Sequence, residues 1–181
     1  MLKKNIFITG FMGTGKTTIA KALSNRTGNQ YVDMDHIIES KERNSIAKIF
    51  EIKGEDYFRK LEKEVLNELI AQKDLIIATG GGTLLDEENY RLAKKNGIII
   101  LLWARPEIIF NRIKKKNTRP LLVGTNKFEK IIYLMDKRKD QYNHIKDLID
   151  TSDLPIEKVV NQIIEIIIEK ENNYGKNNVE I

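Results

Sequence analysis

Short apolar runs alternate with longer amphipathic stretches along this chain, and the alternation predicts its elements. Residues 4–9 (KNIFIT) form an apolar strand stopped by Gly10. Ile19, Ala20 and Leu23 then recur at helical spacing over residues 17–24. Residues 30–33 make a second short strand ending in acids. Residues 35–72 read as helical with an interruption near Gly54, and Phe58, Leu61, Val65, Leu66, Leu69 and Ile70 share one face. An apolar run at 75–78 stops at Thr79-Gly80-Gly81-Gly82. A short helix over 87–95 precedes 97–103 (GIIILLW), the most apolar strand of the chain. Residues 106–115 are helical with Pro106 at the start. A loop punctuated by Arg119-Pro120 and Gly124 follows, then a helix over 127–142. Residues 146–150 predict a fifth strand. Ser152 or Asp153 is placed to cap a last helix, opened by Leu154-Pro155 and ending at about residue 171. The polar stretch 172–181 reads as a loose tail.

Strands that alternate with helices predict a parallel sheet with helices on both faces. The strands are near-continuous apolar runs, as strands covered on both sides should be. Ligands bind beyond the carboxyl ends of such strands. That is where the unusual residues collect: 10–17, Asp33 and Asp35, Gly80 to Gly82, and Arg105. The expectation is a single α/β domain.

Composition narrows the picture by exclusion. A length of 181 residues suits one domain, and 41% hydrophobic against 31% charged residues is ordinary for a globular chain. The longest candidates, 98–103 and 163–168, are broken by charge within a few residues and are far shorter than a membrane span. Residues 1–5 lead straight into the first strand without a small-residue cleavage site, which reads as strand and not signal peptide. With no cysteine there is no disulfide, thiolate metal site or cysteine nucleophile, and His36 and His144 are too few for a histidine-rich zinc site. A cytoplasmic protein is expected. The formal charge of +5 is mild, and Lys114-Lys115-Lys116 reads as a solvated segment.

The strongest chemical signal lies after the first strand. Gly10-Phe11-Met12-Gly13-Thr14-Gly15-Lys16-Thr17 fits G-x-x-x-x-G-K-[ST] and opens a helix. Glycines let successive N–H groups turn inward on phosphate oxygens, and the helix N-terminus adds positive potential. Lys16 is placed for the β- and γ-phosphates and Thr17 for Mg²⁺. The chain is therefore expected to bind a nucleoside triphosphate. No aspartate has glycine three residues on, as a GTPase would, and Asn126-Lys127-Phe128-Glu129 only imitates a guanine-reading motif.

Four further features suit a second substrate. Asp33 and Asp35 end the second strand. Arg59 and Glu62 sit i, i+3 on one helix face. Gly80 to Gly82 leave room for a ligand to approach backbone. Arg138 and Tyr142 lie one turn apart. Each has a plainer reading: helix-capping acids, a surface ion pair, a tight turn, and a solvated basic face among Lys137 and Lys139. His36 reads as a local hydrogen-bonding residue, and Phe11 and Met12 as packing or pocket wall.

Together these pieces resemble the shikimate kinase family. The matches are GFMGTGKTT at 10–18, DMD at 33–35, FRKLE at 58–62, TGGG at 79–82, TRPLL at 118–122, and R-x-x-x-Y from Arg138 to Tyr142. They span nearly the whole chain to residue 171. The chain departs from the family at Asp140-Gln141, where Pro-Leu is more usual. The resemblance implies a P-loop, nucleoside-monophosphate-kinase-like three-layer fold with a five-stranded parallel sheet. It implies one kinase domain over 1–181: core 1–34, 64–112 and 126–171, substrate-binding region 35–63, lid 113–125. It implies MgATP-dependent phosphorylation of the shikimate 3-hydroxyl, a step of aromatic amino-acid biosynthesis, by a monomer without nucleic-acid or membrane partners. Shikimate would meet Asp35, Arg59, Gly80, Gly81, Gly82 and Arg138. ATP would meet Gly13, Thr14, Gly15, Lys16, Thr17, Thr18, Arg112, Arg119 and Pro155, with Thr17 and Asp33 on Mg²⁺. Lys16, Asp35 and Arg119 would serve catalysis. A gluconate-type kinase, a nucleic-acid-binding ATPase and an inactive nucleotide-binding module compete with this reading.

Overall fold

The computed structural model describes residues 4–114 and 126–177. Five parallel strands, β1 (Asn5–Gly10), β2 (Tyr31–Asp33), β3 (Ile76–Ala78), β4 (Gly97–Trp103) and β5 (Leu148–Asp150), lie in the order β2-β3-β1-β4-β5. Among the described residues, seven helices connect and cover them: α1 (Lys16–Thr27), α2 (Met34–Glu42), α3 (Ile46–Ile70), α4 (Glu87–Asn96), α5 (Pro106–Ile113), α6 (Lys127–Tyr142) and α7 (Ile156–Asn177). A 3₁₀ turn, Thr83–Leu85, precedes α4.

Strand alternation divides the core between two layers. Ile6 and Ile8 of β1 point to the side packed by α1 and α7, where Ile19, Leu23, Val159 and Ile163 meet them. Phe7 points to the opposite side, packed by α2, α3 and α4 through Ile38, Phe58, Val65 and Ala93. A third cluster joins Phe11 and Met12 to α5 and α6. Each fully buried Ile, Leu or Phe contributes about 1.5–3 kcal/mol of hydrophobic stabilisation. The sheet is therefore the stable frame, and β1, at its centre, aims the loop 10–15 out of its carboxyl edge.

Several boundaries differ from the sequence expectation. The helical stretch after β2 begins at Met34, because the Asp33 carboxylate accepts the Asp35 N–H at 3.0 Å and caps the helix. Asp35 therefore stands on a helical turn and not on a strand. The stretch also breaks at Arg43 (φ 52°), and Ser45 caps α3. The interruption expected near Gly54 is present as a residue at φ 80° inside α3. The last helix is capped by neither Ser152 nor Asp153. Asp153 accepts both terminal nitrogens of Arg105, at 2.9 and 2.7 Å, and Ser152 Oγ accepts the Arg105 N–H. Both side chains are spent on the end of β4, and α7 starts at Ile156. It runs to Asn177, past residue 171, because the polar residues there lack apolar periodicity but include no proline to end a helix. Among the described residues, no helix is long and apolar enough to cross a membrane.

Candidate active site

Between β1 and α1 the chain curls through Gly10, Gly13 and Gly15, all at positive φ. A Cβ on Gly10 would stand 2.1 Å from the Leu102 carbonyl oxygen, so only glycine fits against β4 there. Gly15 opens α1 without a side-chain cap, which leaves the first helical N–H groups to a ligand. Lys16 Nζ donates to the Gly10 and Phe11 carbonyls at 2.9 and 3.2 Å, across the mouth of the loop. Thr17 Oγ1 donates to Asp33 Oδ2 at 2.7 Å. Asp33 thus caps α2 with one oxygen and faces Thr17 with the other.

Beside the loop lies a cavity of about 410 Å³, walled by Met12, Asp35, Phe58, Arg59, Glu62, Gly80, Gly81, Gly82 and Arg138 among others. Arg138 is buried, not on a solvated basic face. Its guanidinium lies over the Phe11 ring and donates to the Gly81 carbonyl at 3.1 Å. The Tyr142 hydroxyl donates to the same carbonyl at 2.9 Å. Burial pushes the Tyr142 phenol up to about 12, with Arg138 opposing, so it remains a donor at neutral pH. The helix continues through Asp140-Gln141 with Arg138 in place.

Arg59 and Glu62 are not a surface pair either. The Glu62 side chain is only 2% exposed; it pairs with Arg59 and accepts the Thr83 hydroxyl. Arg59 also donates to Glu55 at 2.7 Å. Burial works to lower the Arg59 pKa, but the charges and hydrogen bonds of Glu62 and Glu55 outweigh it and raise it. The glycines are needed for close approach: a Cβ on Gly80 would meet Glu62 Oε1 at 2.3 Å, and one on Gly82 would meet an Arg59 nitrogen at 2.6 Å.

Burial raises the Glu62 pKa above the ordinary carboxylate value, and the Asp35 charge adds to this, against Arg59 and Thr83. The folded state therefore keeps a proton on Glu62 to higher pH than the unfolded chain. Its contribution to stability is full below the unfolded pKa and declines as pH rises toward the folded one. Glu62→Gln keeps a carbonyl acceptor but cannot ionise. Denaturant unfolding of this variant is expected to show a flatter stability profile than wild type as pH rises above the ordinary carboxylate range. An unchanged slope would assign the titration to another group.

A second cleft, of about 430 Å³, runs from the loop toward the end of β5. Of the residues expected to meet ATP, Gly13, Thr14, Gly15, Lys16, Thr17, Thr18 and Arg112 line it. Pro155 does not. It spends its carbonyl on the N–H groups of Lys158 and Val159 to start α7, and its neighbours Leu154 and Ile156 form the wall instead. Lys16, Thr17, Asp33 and Asp35 line both spaces. Arg119, with the rest of 118–122, lies outside the described residues. Sequence reasoning noted Glu62 only as the helix neighbour of Arg59, and left Thr83 and Thr151 out of the site.

A phosphate-binding loop on the central strand, with one space for a triphosphate and an adjoining one lined by arginines and carboxylates, defines a P-loop kinase of small molecules. The model of the shikimate kinase family matches residues 12–168. Shikimate kinase of Caldanaerobacter subterraneus subsp. tengcongensis is 43% identical over 165 residues, which cover 91% of this chain and 96% of that protein. Shikimate kinase from Acinetobacter baumannii, solved in complex with shikimate, superposes with a TM-score of 0.88 at 34% identity, covering 93% of this chain and 94% of that one. A gluconokinase from Sinorhizobium meliloti, 12% identical, shares the fold with a TM-score of 0.62 over 97% and 98% of the two chains. This chain belongs to the shikimate kinase family, whose phosphate donor is ATP.

Proposed function

We propose that this enzyme transfers the γ-phosphoryl group of ATP to the 3-hydroxyl of shikimate, giving shikimate 3-phosphate and ADP. The observation that carries the reading is the shared wall: Lys16, Thr17, Asp33 and Asp35 each face both the triphosphate cleft and the acceptor cavity. A phosphoryl group crossing from one to the other would pass these four side chains. The acceptor offers a carboxylate and ring hydroxyls. Arg59 and Arg138 suit the carboxylate through paired, charge-assisted hydrogen bonds. Asp35 suits a hydroxyl, orienting it and taking its proton as the oxygen attacks. The N–H groups at the start of α1 and the Lys16 ammonium offset charge on the transferred group. Arg119 joins them in this reading.

The donor set fits Mg²⁺: one hydroxyl, Thr17, and one carboxylate, Asp33, are 2.7 Å apart, hard oxygens that leave most of an octahedral shell to phosphate and water. Thr17 would hold the ion directly and Asp33 through water. When bound, the ion would neutralise phosphate charge. Residues 35–63 carry the substrate-binding region, and Arg112 serves the adenine side. One copy of the chain contains both spaces, so the same reading has a cytoplasmic monomer working without nucleic acid or membrane.

The test is ADP release by the purified chain with MgATP, alone and with shikimate, gluconate or AMP. Turnover is expected only with shikimate. ATP binding without ADP release in any of the four mixtures would overturn the acceptor assignment.

A further inference from the structure

One buried hydroxyl ties the phosphate loop and α5, both on the wall of the nucleotide cleft, to the end of β4. Thr151, 3% exposed, follows β5 and donates its N–H to the Trp103 carbonyl at 2.8 Å. Its Oγ1 lies 3.1 Å from the carbonyl oxygen of Thr14 in the phosphate loop and 3.1 Å from that of Trp103, sharing its single proton between them. From α5, Arg112 donates one terminal nitrogen to Thr151 Oγ1 at 3.1 Å and the other to the Thr151 carbonyl at 2.7 Å. The first of these nitrogens also reaches the Gly13 carbonyl at 3.3 Å. The Arg112 guanidinium, on an exposed stretch of helix, is thereby fixed against the loop.

We propose that Thr151 is a positioning residue for the nucleotide: its hydroxyl sets the Arg112 guanidinium and the phosphate loop in register with each other. This rests on the reading of the cleft as the ATP site. The hydroxyl's partners are the loop, the end of β4 and Arg112, and none of them is in the arginine-lined acceptor cavity except through the loop backbone. Valine in place of threonine fills the same volume. It keeps the backbone bonds to Trp103 and from Arg112, and leaves the Thr14 carbonyl and one Arg112 N–H without the hydroxyl. A buried polar group that loses its partner costs enough to reset a loop.

Equilibrium ATP binding and steady-state kinetics of the full chain test this. Thr151→Val is expected to raise the ATP Kd and KM roughly tenfold while kcat stays within about twofold and the shikimate KM is unchanged. Thr151→Ser, which restores the hydroxyl, is expected to return ATP binding to near wild type. If the valine variant does not fold, Thr151→Ala removes the hydroxyl without bulk and is read by the same outcomes. Wild-type ATP affinity in the hydroxyl-free variant overturns the inference alone. So does a loss that falls equally on kcat and both KM values and that serine does not rescue. Absence of ATP binding by the wild-type chain overturns the reading of the cleft, and this inference with it.

Discussion

Asp35→Asn will fold and bind both substrates, yet its kcat will fall by roughly 10²–10⁴-fold, the range a positioned acid–base group supplies. The cap of α2 survives because it runs through the backbone of residue 35 and not through its side chain. The Asp35 N–H is held by Asp33, which caps α2, and asparagine leaves that bond intact. The first turn of α2 loses a negative charge near a helix N-terminus, about 0.3–1 kcal/mol. What asparagine cannot do is accept the proton of an attacking hydroxyl. The proposed reaction gives that task to Asp35, which faces both cavities, with its Oδ1 at 3.1 Å from where a Cβ on Gly80 would stand.

A second readout belongs to the same variant. The Asp35 charge helps to raise the Glu62 pKa. Without it, Glu62 ionises at lower pH and the decline of stability with rising pH becomes shallower. A kcat within a few-fold of wild type, together with that change in slope, would show that Asp35 acts on the local field and not on the transferred proton.

The phosphate loop was legible because its pattern is written in eight consecutive residues, glycines for the turn followed by the Lys16 and Thr17 side chains. Asp33 and Asp35 were legible as acids at a strand end, but their geometry was not. The strand stops at Asp33 because a side chain caps the next helix, a competition between local hydrogen bonds that periodicity does not show. Arg138 sits between Lys137 and Lys139, which suggested solvent. Helical spacing from buried Ile131 turns position 138 inward and its neighbours out. Glu62 carried a signal that could have been used, since it falls on the apolar face of Phe58, Val65 and Leu69. A carboxylate on a core face must find partners, and Arg59 and Thr83 are those partners. Thr151 had no local signal. Its hydroxyl meets residues 39 and 137 positions away, and only the sheet order brings them together.

Arg59→Ala is expected to lose roughly 2–5 kcal/mol in kcat/KM for shikimate, the cost of leaving a buried carboxylate without its charged partner. Two carboxylates are at stake, and they must be separated. One belongs to the substrate. The other is Glu62, whose side chain is 2% exposed and which pairs with the Arg59 side chain, itself 34% exposed. Removing the guanidinium orphans Glu62 as well, which could disturb Thr83 and the glycine turn without any substrate contact. Arg59→Ala combined with Glu62→Gln removes the orphaned charge and keeps an acceptor for Thr83. If substrate recognition is the cause, the double variant will be about as impaired as the single, and its lost stability alone will recover. If the orphaned carboxylate is the cause, activity will return with stability. Arg59→Lys will rescue only in part, because an ammonium cannot present a planar fork to Glu55, Glu62 and a substrate carboxylate together. Near-normal turnover in Arg59→Ala itself would leave Arg59 with the structural task of pairing Glu62 and would move the substrate carboxylate to Arg138.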